Sequence, residues 1–390
     1  MKLAGLFTLA MATVSVAAKK SYMVVFGDSL SDIGNRGTKG QVIPYFSGRF
    51  SDGPLWNEYV AAKNNYTLLN FAYAGSVSNN TLVKDFAKKD VKFPSLAQQV
   101  DTFINSLAAN VTKKDMRNDL AVIQIGTNDF YYGIDMMDKS AFRSVWYANS
   151  VVNNIVTAAN KLMVFGFRRI LIVNVPDLKV IPEIKKTAGK FTQGLDLFVN
   201  LTNLRLEEYA KAVNDRNFRG FHWVRVLNYY DLTGLIMNNE DPKKNFGFIN
   251  FNVGCNQIVN NNTLSTCSQP DQYFFMDPSY PSARVHAITG AVANEVISDD
   301  SFKMNLKSVF DLYTKNELFK VNSTFSPLFN NNSLTTGKID VEELNQNQFF
   351  ANKTRFIKEK NKRAANGGNF NLVSPIGLFA SLVLSFVALL

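Results

Sequence analysis

Histidine and cysteine are scarce, with two of each in 390 residues. A closed zinc site takes four ligands, mostly Cys and His. Cys255 and Cys267, with no histidine between them, cannot build one, so no metal is expected. No phosphate-binding glycine loop stands out either, and no nucleotide or other cofactor is expected. Charged residues are only 19% of the chain, against 46% hydrophobic, which suits a globular fold with a core of ordinary size. The net charge of +10 is spread along the chain, with a small cluster at Lys358, Lys360, Lys362 and Arg363. No basic face or binding motif goes with it, which argues against a nucleic-acid partner.

Long apolar runs are confined to the two ends. Met1–Ala18 has one Lys, an apolar run and then small residues, the order of a secretory signal. Asn366, Gly367 and Gly368, a polar spacer and the uncharged run Ile376–Leu390 follow the order of a glycolipid (GPI) anchor signal. A retained span would be short, since crossing a bilayer takes about 20 apolar residues. Eight sequons support secretion, at Asn65, Asn79, Asn110, Asn200, Asn261, Asn322, Asn331 and Asn352. In an oxidising compartment Cys255 and Cys267 are expected to pair. The layout is therefore a signal over 1–18, a domain over 19–300, a polar glycosylated stalk over 301–366 and an anchor signal over 367–390. The membrane is reached through the anchor, at the cell surface.

Short apolar runs alternate with helical patterns. Tyr22–Phe26, Leu68–Phe71, Leu120–Ile125, Ile170–Val175 and Trp223–Leu227 read as strands, apolar throughout as in a parallel sheet covered on both faces. Ser95–Ala108, Ala141–Phe165, Thr192–Asn214 and Pro281–Ile297 read as helices, with a further helical pattern near Val341–Phe350. The alternation predicts a doubly wound α/β domain with about five strands and its ligand loops at their carboxyl ends.

Those loops hold the chemistry. Ser29, in Phe26-Gly27-Asp28-Ser29-Leu30, follows the first strand and serves either as a nucleophile or as a helix N-cap. Gly75 follows the second strand, as a close backbone approach or a turn residue. Asn128, in Gly126-Thr127-Asn128-Asp129, follows the third, as an amide donor or an Asx-turn. A hydroxyl and two donors at three neighbouring strand ends fit a nucleophile and its oxyanion hole.

These blocks resemble the GDSL or SGNH hydrolases, whose signature is Ser in GDS, a Gly in the second block, Asn in GxND and a late Asp-x-x-His. The stretches 48–61, 174–182 and 267–282 are similar to the fungal, carbohydrate-esterase-like branch, and the likeness runs over residues 22–298. It implies a three-layer, flavodoxin-like fold. It also implies that Ser29 attacks an ester carbonyl, that the Ser29 and Gly75 N–H groups with the Asn128 side chain hold the oxyanion, and that Asp277 orients a base three residues on.

Three residues on from Asp277 stands Tyr280. A phenol titrates near 10 against about 6.5 for imidazole, so Tyr280 is a poor base at neutral pH. The nearest histidine, His286, lies six residues further, about 240° round and 9 Å along a helix. It is a candidate replacement base that should face elsewhere. His222, at a strand start, is a weaker candidate still. Three readings follow: an ester hydrolase acting on acetylated carbohydrate or lipid with impaired base chemistry, a degenerate SGNH-fold protein that binds surface glycans or lipids, and a structural wall protein.

Overall fold

The computed structural model describes residues 21–137, 139–188, 192–216, 223–238, 241–260, 263–329 and 338–365. The signal and anchor stretches, His222, and the sequons at Asn261 and Asn331 lie outside these residues.

Six parallel strands form the main sheet: β1 (Tyr22–Gly27), β2 (Thr67–Asn70), β3 (Leu120–Gln124), β4 (Arg169–Val173), β5 (Trp223–Leu227) and a sixth, Glu343–Asn345. Their order is β5-β4-β3-β1-β2-sixth. Val24, Ile123, Leu69 and Leu171 are wholly buried, as unalternating apolar strands require. The chain moves one way from β1 to β2 and the other way from β3 through β4 to β5. Right-handed crossovers then put the intervening helices on opposite faces. The helices α1 (Trp56–Lys63), α2 (Asn80–Ala87), α3 (Leu96–Leu107), α4 (Thr127–Met137) and α5 (Ala141–Phe165) lie before β4, and α6 (Pro182–Ala188) and α7 (Thr192–Asp215) before β5. The helices α8 (Tyr229–Met237), α9 (Pro242–Phe246), α10 (Ala283–Ser298) and α11 (Leu306–Lys315) follow. Helices α3, α5 and α7 pack together as one layer, and α1 packs on α10 in the other. The order reverses between β1 and β3, and a ligand site is expected beyond their carboxyl ends.

The sheet is one strand larger than expected, and the extra strand comes from the segment expected to be a stalk. Glu343–Asn345 pairs with Leu68–Asn70, and the C-terminal helix Gln346–Ala365 follows it directly. That helix inserts Phe349 against Phe71 (ring centroids 5.3 Å apart) and near Phe103 (6.2 Å), in the cluster that also holds Phe26. Further along, Phe356 packs edge-on against Tyr22 at 4.7 Å. Lys360 is fully buried, ion-paired with Asp119 and bonded to the Asp115 carbonyl at 3.1 Å. The polar composition of 301–365 hid these contacts, because a helix laid on a finished sheet needs only one apolar stripe. A disulfide joins Cys255 and Cys267 (Cα–Cα 4.9 Å) across the base of a two-stranded hairpin, β6 (Asn256–Val259) and β7 (Thr263–Thr266). Among the described sequons, Asn65, Asn110, Asn200 and Asn352 are exposed, and Asn79 and Asn322 are half-buried. No described helix is long and apolar enough to cross a membrane.

Candidate active site

Gly27 ends β1 pressed against β3: a Cβ there would lie 2.2 Å from the Gln124 carbonyl oxygen. The chain then turns, with the Ser31 N–H donating to the Asp28 carbonyl at 3.1 Å. Ser29 caps no helix, since the first one begins at Trp56. It is 7% exposed on the wall of a cavity of about 170 Å³. Asp28 accepts the Leu30 N–H at 3.1 Å, and burial pushes its carboxyl up to about 7.

The three expected blocks are tied to one another. The Tyr73 N–H donates to the Gly27 carbonyl at 3.0 Å, which holds the second block to the first. Asn128 lies in the first turn of α4, and its Nδ2 donates to the Ser76 carbonyl at 2.9 Å. One amide hydrogen remains for the cavity that Asn128 lines. Gly75 has φ +90°, and a Cβ there would meet the Phe93 ring at 2.4 Å, so both conformation and space require glycine. Gly75 does not line the cavity; Phe93 stands beside it. Below, buried Asp129 accepts the Ser78 N–H (2.8 Å) and hydroxyl (2.6 Å), and burial pushes it up to about 7.

Asp277 and Tyr280 close the other side. One Asp277 oxygen accepts the N–H groups of Ser279 and Tyr280, both at 2.7 Å. The other accepts the Tyr45 hydroxyl at 2.5 Å. Burial pushes Asp277 up to about 6 in spite of these three donors. The Tyr280 phenol is in hydrogen-bonding contact with Ser29; burial raises its pKa above the ordinary phenol value, and the charges of Asp277 and Asp28 add to that. The phenol is therefore protonated at neutral pH and is a poor base toward Ser29.

His286 is not at the site. It lies buried in α10, on no wall of the cavity, and its Nε2 has no hydrogen-bond partner among the described residues. Burial lowers its pKa to about 3, so it stays neutral. Helical spacing had pointed it away, and the structure removes it as a replacement base.

The rest of the cavity is largely apolar. Leu30, Tyr131, Val180, Ile181, Phe274 and Phe275 line it, with Asp177 and Glu183 among them. Asp177 was not singled out from the sequence, although its place just past the fourth strand could have marked it. Tyr45 was not: it reaches Asp277 from 232 positions away, and nothing local marks it. No described group of His, Cys, Asp and Glu could hold a metal ion. The arrangement can present a hydroxyl and an amide N–H to a carbonyl whose apolar substituent fills the cavity.

The family model for GDSL-like lipases and acylhydrolases matches residues 23–295. The chain is 29% identical over 184 residues to a phosphatidylcholine-sterol acyltransferase of Aeromonas hydrophila, covering 45% of this chain and 50% of that protein. It thus spans about half the length of that relative. It is 24% identical over 325 residues to a GDSL esterase/lipase of Arabidopsis thaliana, covering 71% of this chain and 88% of that one. Among solved structures, a member of the lipolytic G-D-S-L family from Veillonella parvula is 18% identical, with a TM-score of 0.37, covering 72% of this chain and 99% of that one.

Proposed function

From the premise that this chain belongs to the GDSL-like lipase/acylhydrolase family, we propose that it is a serine ester hydrolase for short acyl groups, with a phenol where the family places its base. The observation that carries this reading is the meeting of Ser29, Asn128 and Tyr280 on one small apolar cavity. Ser29 Oγ attacks the ester carbonyl. The Asn128 amide and the Ser29 N–H take the charge that develops on the carbonyl oxygen. As the new C–O bond forms, the Ser29 proton passes to hydroxide or water, since no strong base faces it; the intermediate then expels the alcohol, and water cleaves the acyl-Ser29 ester to release the acid. Acylation is therefore slow near neutral pH and speeds up as hydroxide rises.

Cavity size limits the acyl group. A comparable apolar cavity of ~150 Å³ holds one benzene, so about 170 Å³ suits an acetyl to butyryl chain. The alcohol side, carbohydrate or glycerol, points out. The reading includes secretion and a lipid anchor, supported by the two apolar ends of the sequence and by the sequons. A second reading, an ester or glycan binder without turnover, is favoured by the Tyr45 hydroxyl, which occupies the Asp277 oxygen a base would need.

The test is hydrolysis of p-nitrophenyl acetate, butyrate and decanoate by the full chain and by Ser29→Ala. The expected result is a slow rate on acetate and butyrate, absent in Ser29→Ala, rising with pH and weak on decanoate. Equal rates in both proteins would leave the binder.

A further inference from the structure

At the rim of this site stands a cation that has no acidic partner among the described residues. The Asp32 carboxylate accepts the N–H groups of Gly34 (2.8 Å), Asn35 (2.6 Å) and Arg36 (3.1 Å). It also accepts the N–H of Ala74 (2.8 Å), the residue before Gly75. One buried carboxylate thus fixes the backbone of Arg36 to the oxyanion block. The guanidinium carbon lies 4.5 Å from the centre of the Phe93 ring, which covers Gly75. It lies 5.9 Å from the centre of Phe50, whose ring is 5.1 Å from that of Tyr280. The guanidinium is thus held between the Gly75 side and the Tyr280 side of the site, and its charge reaches the Tyr280 phenol.

Arg36 spends its guanidinium on ring faces alone. Arg49, Arg205 and Arg355 pair with carboxylates and Arg169, Arg225 and Arg284 donate to carbonyl or hydroxyl oxygens, whereas the Arg36 guanidinium is stacked on rings and has no carboxylate partner among the described residues. A guanidinium held by stacking keeps its N–H fork free for a planar or tetrahedral oxyanion. The cavity wall itself carries the carboxyls of Asp28, Asp177 and Glu183, which disfavour an anion inside the cavity. The charge asymmetry gives a substrate one orientation, with its neutral acyl chain in the cavity and an anion on the alcohol at Arg36.

We infer that Arg36 forms an anion subsite for the alcohol portion of the substrate, so that the preferred ester is a short acyl ester of an alcohol bearing a phosphate or carboxylate. The inference rests on the ester-site reading above. It is tested by equilibrium binding to the full chain carrying Ser29→Ala, at low salt. The probes are monobutyrylglycerol, butyrylglycerol 3-phosphate, butyryl glycerate and inorganic phosphate alone. Each is measured with and without Arg36→Gln, and with Arg36→Lys as the charge-conserving control. The expected result is at least tenfold tighter binding of the two anionic esters than of the neutral one. Arg36→Gln abolishes that preference and leaves neutral-ester affinity in place, Arg36→Lys keeps part of it, and phosphate alone binds weakly. An anionic preference that survives Arg36→Gln, or no preference, overturns the subsite while leaving the ester reading standing. Failure of all three esters to bind overturns both. Phosphate alone binding as tightly as the phosphorylated ester overturns the substrate assignment in favour of a free-anion site.

Discussion

At the scale of single residues, the account turns on what Asp277 and Tyr280 do. In the family arrangement the sequence resembles, an aspartate orients a base three residues on. Here Asp277 binds the backbone of Ser279 and Tyr280 through one oxygen and the Tyr45 hydroxyl through the other. A histidine placed at 280 therefore competes with the Tyr45 hydroxyl for the one Asp277 oxygen that the backbone N–H groups leave. Removing that hydroxyl as well, with Tyr45→Phe, frees it. The gain from Tyr280→His should thus be larger in the Tyr45→Phe background than alone, a coupling expected of residues sharing one partner. That Tyr280 stands three residues past Asp277 was legible by counting along the chain; the Tyr45 contact, made across the fold, was not.

At the scale of elements, the sheet edge and the C-terminal helix matter most. The five apolar strands were legible because burial on both faces leaves a run with no alternation, and four long helices were legible within two residues at either end. The sixth strand was not. It is three residues, Glu343-Leu344-Asn345, at the sheet edge, and all three are half-buried, so hydrophobic pattern carries little signal. Its anchor is the buried Arg49, which ion-pairs with Glu58 (2.5 Å) and donates a hydrogen bond to Glu343 (2.6 Å). The helix behind it is fixed by Phe349, which is fully buried. Phe349→Ala should cost roughly 3–5 kcal/mol, the usual loss for an aromatic side chain removed from a core. Chemical denaturation of the full chain measures this. A chain ending at residue 300 should lose cooperative unfolding altogether. An unchanged midpoint in either protein would mean that this segment is the dispensable stalk its composition suggests.

At the scale of the whole molecule, burial has raised several carboxyls together. Asp28 and Asp129 stand at about 7, Asp52 and Asp277 at about 6, and Glu343, beside Glu58, at about 9. Each is held neutral in the folded state at a pH where the unfolded chain has already ionised it. The folded state then binds more protons, so stability is greatest below about 4 for these groups and falls as pH rises through their folded values. His286 acts the other way, because it stays neutral down to about 3 when folded and charges near 6.5 when unfolded. It removes stability only below 6.5. Between pH 6.5 and 8 the carboxyls act unopposed by it, and the unfolding temperature should drop across that interval. A calorimetric scan that shows it rising would contradict the burial assigned to these groups. The same buried environment, with carboxyls but no imidazole on the cavity wall, surrounds Ser29, and the most direct test is a pH–rate profile for hydrolysis of p-nitrophenyl butyrate. It compares the full chain, Tyr280→His, and Tyr45→Phe with Tyr280→His. The expected result is a slow wild-type rate that rises with pH. A gain on the order of a hundredfold is expected in the double variant, the scale of general-base catalysis, with a titration near that of histidine and a smaller gain in Tyr280→His alone. A fast wild-type rate that levels off near neutral pH and falls in both variants would show that Ser29 already has a working base and would contradict this expectation.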